Sequence, residues 1–324
     1  MRIPADLLKL IRKNKKFLIT GHVNPEGDSI GSCLALALGL KKMKKNVCVL
    51  SKDPIPDILK FLPCSNLIKN RIPAGNFDVL FLIDCNTMER TGFKNLRAKT
   101  TAVIDHHLAR KEHLLDIGWI VPEAAAAGEL VYKLLKALNI PIDKKISTNL
   151  FTAVFTDTGG FRYSNTTPES MKISCELIKA GANPWDVTKE VYENISFNRM
   201  RLLTMSLSTL EKRDDIVWMT VTRRMLEKTN TSAQDTESFV DYPRKIKGIE
   251  AAVFFREKNN NLYKVSLRSK GKVNVANIAR IFGGGGHARA AGCEINGSLS
   301  DVKQKIFKAV KNETKGYKSK ISTY

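Results

Sequence analysis

KFLITGHVNPEGDSIGS, residues 16–32, decides the reading of this chain. Its start, Lys16–Thr20, is an apolar, β-branched run that reads as a buried strand. Gly21 to Asp28 then bring a glycine, a histidine, a proline and the carboxylates Glu26 and Asp28 together in one short loop. From Ser29 to Lys45, apolar residues recur at 30, 33, 34, 37 and 38, the stripe of a helix. Strand, polar loop and helix make the first half of a βαβ unit, and the pattern continues outward. Asn46–Ser51, Asp78–Asp84 and Thr101–Asp105 read as strands. Ala124–Leu138, Ile146–Phe155 and Glu169–Ala180 read as helices. This alternation predicts an α/β fold with a mostly parallel, covered sheet and right-handed crossovers.

Near residue 213 the pattern changes. Ile216–Val221, Ala251–Arg256 and Leu262–Leu267 read as strands, Val275–Phe282 and Val302–Val310 as helices, and Thr229–Ser238 as a polar loop. The expected organisation is a catalytic domain over 1–190, a helical linker over 191–213 that includes a helix at Leu202–Lys212, and a smaller mixed α/β domain over 214–324. The Lys-rich stretch from Asn312 is expected to fray. A length of 324 residues suits two domains at about 100–200 residues each.

Composition excludes several classes. Hydrophobic residues make up 43% of the chain, too many for a disordered protein. No apolar run approaches the ~18 residues of a membrane span. Met1–Thr20 lacks the apolar block of a secretory signal. The cysteines at 33, 48, 64, 85, 175 and 293 form no CxxC pair, which argues against a zinc ribbon or a disulfide framework and suits a cytoplasmic protein. With 53 Lys+Arg against 32 Asp+Glu the net charge is +21. That fits a protein that meets phosphate polyanions, and it equally fits a lysine-rich solvated surface.

Chemistry gathers where the predicted strands end. In open α/β sheets, ligands bind at the carboxyl ends of the strands. The first strand runs into His22, Glu26 and Asp28, the third ends at Asp84, and the fourth ends at Asp105-His106-His107. Asp157 follows in Thr156-Asp-Thr-Gly-Gly160. Four of the five histidines lie in such motifs, His287 being the fourth and His113 the exception. Each piece alone is ordinary: Asp28 before Ser29 could be a helix cap. Together they are not. Two carboxylates at about 4 Å repel by roughly 4 kcal/mol at an effective dielectric near 20, so a crevice shared by Glu26, Asp28, Asp84 and Asp157 calls for cations. Mixed His and carboxylate donors suit Mn²⁺, Fe²⁺, Co²⁺ or Zn²⁺, and this many of them suggest two metals at about 3.5–4 Å, the arrangement that activates water against a phosphoester.

These residues resemble a known family. Gly21–Ser32, Leu82-Ile-Asp84, Ile104-Asp-His-His107 and Thr156-Asp-Thr-Gly159 are similar, in the same order, to the four motifs of the DHH phosphoesterases. Ser266-Leu-Arg-Ser269, Gly283-Gly-Gly-Gly-His287 and Ala290-Ala-Gly292 resemble the DHH-associated nucleic-acid-binding domain. The two-domain length looks most like the stand-alone nanoRNases, which act as oligoribonucleases and 3′-phosphoadenosine 5′-phosphate phosphatases. The resemblance implies one ion held by His22, Glu26 and Asp84, and a second by Asp28, Asp84, His106 and Asp157, with Asp84 bridging and Mn²⁺ as the metal. It implies that Asp105 supports His106, that His107 faces the scissile phosphate, and that a metal-bridging hydroxide is the nucleophile. One position departs: the family usually has Asp where this chain has Glu26, and the extra methylene moves the carboxylate by roughly 1.5 Å, beyond the usual tolerance of metal–ligand distances.

In the second domain Arg268 offers a bidentate phosphate clamp. Ser269 and His287 offer hydrogen bonds, and Gly284, Gly285 and Gly286 let a phosphate or base approach the backbone. Arg162, just after the fourth motif, either touches the phosphate or holds its own loop. The expected substrates are short single-stranded RNA or DNA oligonucleotides, linear dinucleotides such as pApA, and 3′-phosphoadenosine 5′-phosphate, gripped in a cleft between the domains. No membrane partner is expected, and a homodimer is compatible with the sequence. The alternatives are a phosphodiesterase for cyclic dinucleotides such as c-di-AMP, and a nucleotide- or RNA-binding protein whose catalysis is weakened at Glu26.

Overall fold

The computed structural model describes residues 2–107 and 116–321, so His113 lies outside the described residues. The chain divides into two compact units, one up to Asn194 and one from Ile195 onward.

The first unit contains α1 (Ala5–Lys13), β1 (Lys16–Thr20), α2 (Gly27–Lys42), β2 (Asn46–Leu50), β3 (Ile68–Lys69), β4 (Val79–Ile83), β5 (Thr100–Asp105), β6 (Ile117–Ile120), α3 (Ala127–Ala137), α4 (Lys144–Asp157), α5 (Pro168–Lys179) and α6 (Pro184–Thr188). Its strands form one parallel sheet in the order β3-β2-β1-β4-β5-β6. The order reverses between β1 and β4. The carboxyl ends of those two neighbours open the crevice where ligands bind in sheets of this kind.

Alternation along the strands sorts the two faces. Phe17, Ile19, Phe81, Ile83, Ala102 and Ile104 face the helices. Leu18, Leu80, Leu82 and Val103 face a cover made by Cys85, Phe93 and Leu96 from the connection after β4. β4 is buried along its whole length, and burial of each such Leu or Phe contributes about 1.5–3 kcal/mol. α2 is buried on almost every side, which is why its sequence is apolar nearly all round. It sits so close to α4 that a Cβ on Gly31 would strike the Asn149 carbonyl oxygen.

The second unit contains α7 (Phe197–Leu207), β7 (Glu211–Arg213), β8 (Ile216–Val221), α8 (Arg223–Thr229), α9 (Asp241–Arg244), β9 (Ala251–Asn259), β10 (Leu262–Ser269), α10 (Val275–Ile281), β11 (Gly285–His287), β12 (Ala290–Asn296) and α11 (Leu299–Ile321). Its sheet runs β11-β12-β10-β9-β8-β7. Only β8 and β9 pair in parallel. Three expectations change here. The helix expected over 202–212 ends at Leu207, and Glu211–Arg213 pair with β8. The expected linker belongs to this unit from Ile195 onward, and Leu202 and Leu203 pack with Val217, Met219 and Phe254. The stretch expected to fray continues α11 to Ile321. Among the described residues no helix is long and apolar enough to cross a membrane, and all six cysteines are free.

Gly31→Ala tests the α2–α4 contact. Overpacking there should lower the unfolding free energy of the metal-free protein by about 1–3 kcal/mol in urea titration. An unchanged midpoint would show that the two helices can separate.

Candidate functional site

In the first unit the strand ends deliver their polar residues to one point. His22 follows β1, Asp84 follows β4, Asp105 closes β5, and His106 and His107 come next. Asp28 enters from the first turn of α2, and Asp157 from the last residue of α4. Asp84 turns back with φ +56°, a left-handed conformation that costs about 1–3 kcal/mol outside glycine and recurs at functional sites.

The donor atoms form two overlapping groups. His22 Nε2 stands 3.3 Å from Asp84 Oδ2 and 4.0 Å from Glu26 Oε1. His106 Nε2 stands 3.4 Å from Asp84 Oδ1, 3.7 Å from Asp28 Oδ2 and 3.8 Å from Asp157 Oδ2. Donors held at about 2.1 Å from one ion lie roughly 3.0–3.4 Å apart, and further across it, so these spacings match the edges of coordination shells. Among the described residues, His22 Nε2 and both Asp84 oxygens are buried without hydrogen-bond partners. Burying such atoms unsatisfied costs about 1–3 kcal/mol each. Cations between the two groups would account for all three, so these residues fit divalent metal binding.

Electrostatics agree. Burial and the neighbouring Asp84 push the Asp28 carboxyl well up. Burial lifts Asp157 to about 7, with Glu26 and Asp84 adding to it. Burial alone would lower His106, but Asp84, Asp28 and Asp157 raise it to about 10. His106 and His22 outweigh burial at Asp84 and hold it well below the carboxylate range. Without cations the cluster keeps protons to limit its own repulsion.

The supports differ from expectation in one place. Asp105 Oδ1 accepts from His107 Nδ1 at 2.8 Å and from the backbone N–H groups of His106 and His107. The ring of His106 leans instead on the Ala124 carbonyl, 3.1 Å from Nδ1. Asp105 thus supports the His107 ring and not the His106 ring, because the chain turns sharply after β5 and folds His107 back over it. Glu26 points outward, with a side chain 59% exposed. Arg162 donates from Nε to the Gly159 carbonyl and stacks over Tyr192 at 5.3 Å, which ties it to its own loop. Phe161 packs against Phe151 and Phe155.

Reading residues one by one misses Asn165, Glu129 and the segment Ala124–Gly128. Asn165 Nδ2 lies 3.2 Å from Asp157 Oδ2 and 3.1 Å from the Ala125 carbonyl. Asp28 accepts from the N–H groups of Ala127 and Gly128 at the start of α3 and from Ser32 Oγ. An Asn in a turn and a row of alanines carry no chemical signal of their own.

In the second unit, strand register decides which expected residues share a face. Arg268, Ala290 and His287 form one row across β10, β12 and β11, and Ser266, Gly292 and Gly285 form the next. Arg268 Nε lies 3.3 Å from Asp241 Oδ1. Gly284 and Gly286 are glycines for the backbone: a Cβ on either would strike β12. At Gly285 a Cβ would meet nothing within 4 Å, so the open floor of this face has no internal need of glycine there. Ser269 lies on the opposite, buried face. Its hydroxyl donates to Glu250 at 3.0 Å and accepts from the Gly271 N–H, so strand alternation removes it from the row that holds Arg268.

Residues 16–156 match the DHH family N-terminal domain, and residues 217–316 match the DHHA1 domain. The chain is similar to the bifunctional oligoribonuclease and PAP phosphatase NrnA of Thermus thermophilus. The two are 31% identical over 323 residues, which take in 97% of this chain and 94% of that protein. A crystal structure of an exopolyphosphatase-related protein from Bacteroides fragilis matches with a TM-score of 0.87 and 28% identity, over 97% of this chain and 96% of that one. RecJ from Thermus thermophilus, solved in complex with Mn²⁺, shares the fold at a TM-score of 0.53 and 14% identity, over 93% of this chain and 53% of that one.

Protons on His106 and Asp157 must leave when a divalent ion binds, so affinity must rise with pH. Mn²⁺ affinity should fall about tenfold per pH unit below about pH 10 through the His106 proton, and more steeply below about pH 7 as Asp157 is protonated too. Calorimetry in buffers of different ionisation enthalpy would count the released protons. An affinity independent of pH would contradict this electrostatic account.

Proposed function

Because the chain belongs to the DHH family of phosphoesterases, we propose that it uses two divalent cations, Mn²⁺ foremost, to hydrolyse short single-stranded oligonucleotides, linear dinucleotides such as pApA, and 3′-phosphoadenosine 5′-phosphate. The observation that carries the proposal is the convergence of His22, Glu26, Asp28, Asp84, His106 and Asp157 around buried, unsatisfied donor atoms at the switch point of the sheet.

In this reading the bound ions supply an activated water and neutralise charge on the phosphoryl oxygens. His22, Glu26 and Asp84 would hold one ion, and Asp28, Asp84, His106 and Asp157 the other. Asp105 fixes the His107 ring through Nδ1, at 2.8 Å. A ring so fixed can meet the phosphoryl group with a prepared donor, worth more there than in water. In the second unit Arg268 and His287 would bind phosphate or sugar, and the floor at Ser266, Gly292 and Gly285 would take the nucleotide's flat surface. Ser269 is left out of this set because it lies on the buried face of β10, and Arg162 because its Nε bonds the Gly159 carbonyl and its guanidinium lies over Tyr192 in its own loop. The match to the bifunctional oligoribonuclease and PAP phosphatase NrnA along nearly the whole of both chains supports this substrate class over others the same metal chemistry could serve.

Incubation with pApA, 3′-phosphoadenosine 5′-phosphate and c-di-AMP in Mn²⁺ should release AMP from the first two and leave the cyclic compound intact. Cleavage of none of them with any divalent ion would reduce the protein to a binding module. Gly285→Val should fold as the natural protein does, since the site is open, yet raise KM for pApA by about tenfold with kcat within about twofold. An unchanged KM would remove β11 from the binding face. Glu26→Asp should change kcat by less than about tenfold, because the exposed side chain at 26 can adjust its reach. A gain of several orders of magnitude would mean that the natural glutamate cripples the site.

A further inference from the structure

The segment Ala124–Gly128 has no titratable side chain, yet its backbone meets His106 and Asp28 directly and Asp157 through Asn165, three of the four ligands proposed for one ion. The Ala124 carbonyl lies 3.1 Å from His106 Nδ1. The N–H groups of Ala127 and Gly128 donate to Asp28 at 2.7 and 2.9 Å. The Ala125 carbonyl accepts from Asn165 Nδ2 at 3.1 Å, and the same nitrogen lies 3.1 Å from the Asp157 carbonyl and 3.2 Å from Asp157 Oδ2. The segment is in turn held by Glu129, whose Oε1 accepts from the Ala125 N–H at 3.3 Å. Glu129 is fully buried, and among the described residues its Oε2 has no hydrogen-bond partner. An apolar side chain would fill that space without the cost of a buried carboxyl. What only a polar side chain can provide is the grip on Ala125.

The other ion site stands on different supports. His22 Nδ1 lies 2.7 Å from the Val23 carbonyl, the Val23 N–H donates to Arg90, and the Asn24 N–H donates to Asp53. None of these hydrogen bonds involves 124–129 or Asn165. Asp84 is the ligand common to both sites.

We propose that Asn165 and Glu129 are positioning residues for the Asp28–His106–Asp157 site alone. They fix the backbone of Ala124–Gly128, and through it the aim of all three ligands. The inference rests on the two-ion reading above. It adds that the two ions are held by separable supports, so that one can be weakened without the other.

The test is Mn²⁺ binding to the full chain, followed by electron paramagnetic resonance of the free ion. The natural protein should bind two ions, and fewer than two would overturn the two-ion reading before any variant is made. Asn165→Asp keeps the shape but turns a donor into an acceptor facing three other acceptors. It should weaken one ion by about 10–100-fold and leave the other within about threefold, and it should be worse than Asn165→Ala. His22→Ala should lose the opposite ion, and the double variant should lose both. Glu129→Ala should weaken the same ion as Asn165→Asp, whereas Glu129→Gln, which keeps an oxygen for the Ala125 N–H, should bind as the natural protein does. The Glu129 pair decides the matter if Asn165→Asp does not fold. Equal weakening of both ions, no weakening, or an aspartate no worse than alanine at 165 would overturn the proposal.

Discussion

Asp84 is the constraint around which the first unit is arranged. It ends the most central strand, is fully buried, and among the described residues leaves both carboxylate oxygens without hydrogen bonds. A charge in that position is tolerable only if positive charge meets it from outside the sheet. His22 and His106 come from the neighbouring strands on either side and approach one oxygen each, at 3.3 and 3.4 Å. The left-handed turn at Asp84 carries the carboxylate out of the β4 line and between them. The apolar wall behind it, Leu82, Cys85 and Val103, offers no polar relief. With Asp28 and Asp157 also drawn in, the cluster either keeps protons, as the raised Asp28 and Asp157 carboxyls do, or takes up cations.

Much of this was legible in the sequence, for a physical reason. Ligand side chains must sit where the backbone leaves the sheet, and strand ends can be read from apolar runs. The β1, β4 and β5 boundaries therefore brought His22, Asp84 and Asp105–His107 to one place before any coordinate was known. Identifying which carboxylate served which histidine was harder. The family resemblance assigned Asp105 to His106, but the turn after β5 gives its oxygen to His107. Ser269 failed differently. The sequence placed it beside Arg268, and the alternation of β10 put the two on opposite faces. Alternation was knowable, but which parity faces the open side depends on α10 and α11 covering Val265 and Leu267, and that is a tertiary fact.

What stayed invisible was the support made by backbone. Hydrogen bonds from Ala127, Gly128 and Ala124 depend on where a helix begins, and every residue type offers them. The start of α3 has no capping side chain of its own, and the Asp28 carboxylate takes that role from another helix. A charge at a helix N-terminus gains typically 0.3–1 kcal/mol, up to about 2 when partly buried. The same hydrogen bonds hold the Asp28 carboxylate in the cluster and close a helix end. Small β7 and the β11–β12 hairpin were missed for a related reason. β7 is wholly charged, and the apolar signal of β11–β12 is short and interrupted by glycine, so only pairing to a longer strand makes them strands.

The position of Glu26 follows from the same geometry. Asp28 is fully buried and accepts from Ser32, Ala127 and Gly128. A longer side chain there would lose all three hydrogen bonds or displace α3. Asp84 lies between two imidazoles with packed strand behind it, and Asp157 is clasped by Asn165. Glu26 alone among the carboxylates projects mostly into solvent. Its loop precedes α2 and is not packed against the sheet interior. An extra methylene can coil outward there and return its oxygen to the same group of donors, which lie within 4.8 Å of one another. In the proposed site, glutamate therefore stands at the one carboxylate position whose surroundings leave room, and the enclosed positions keep the shorter acid.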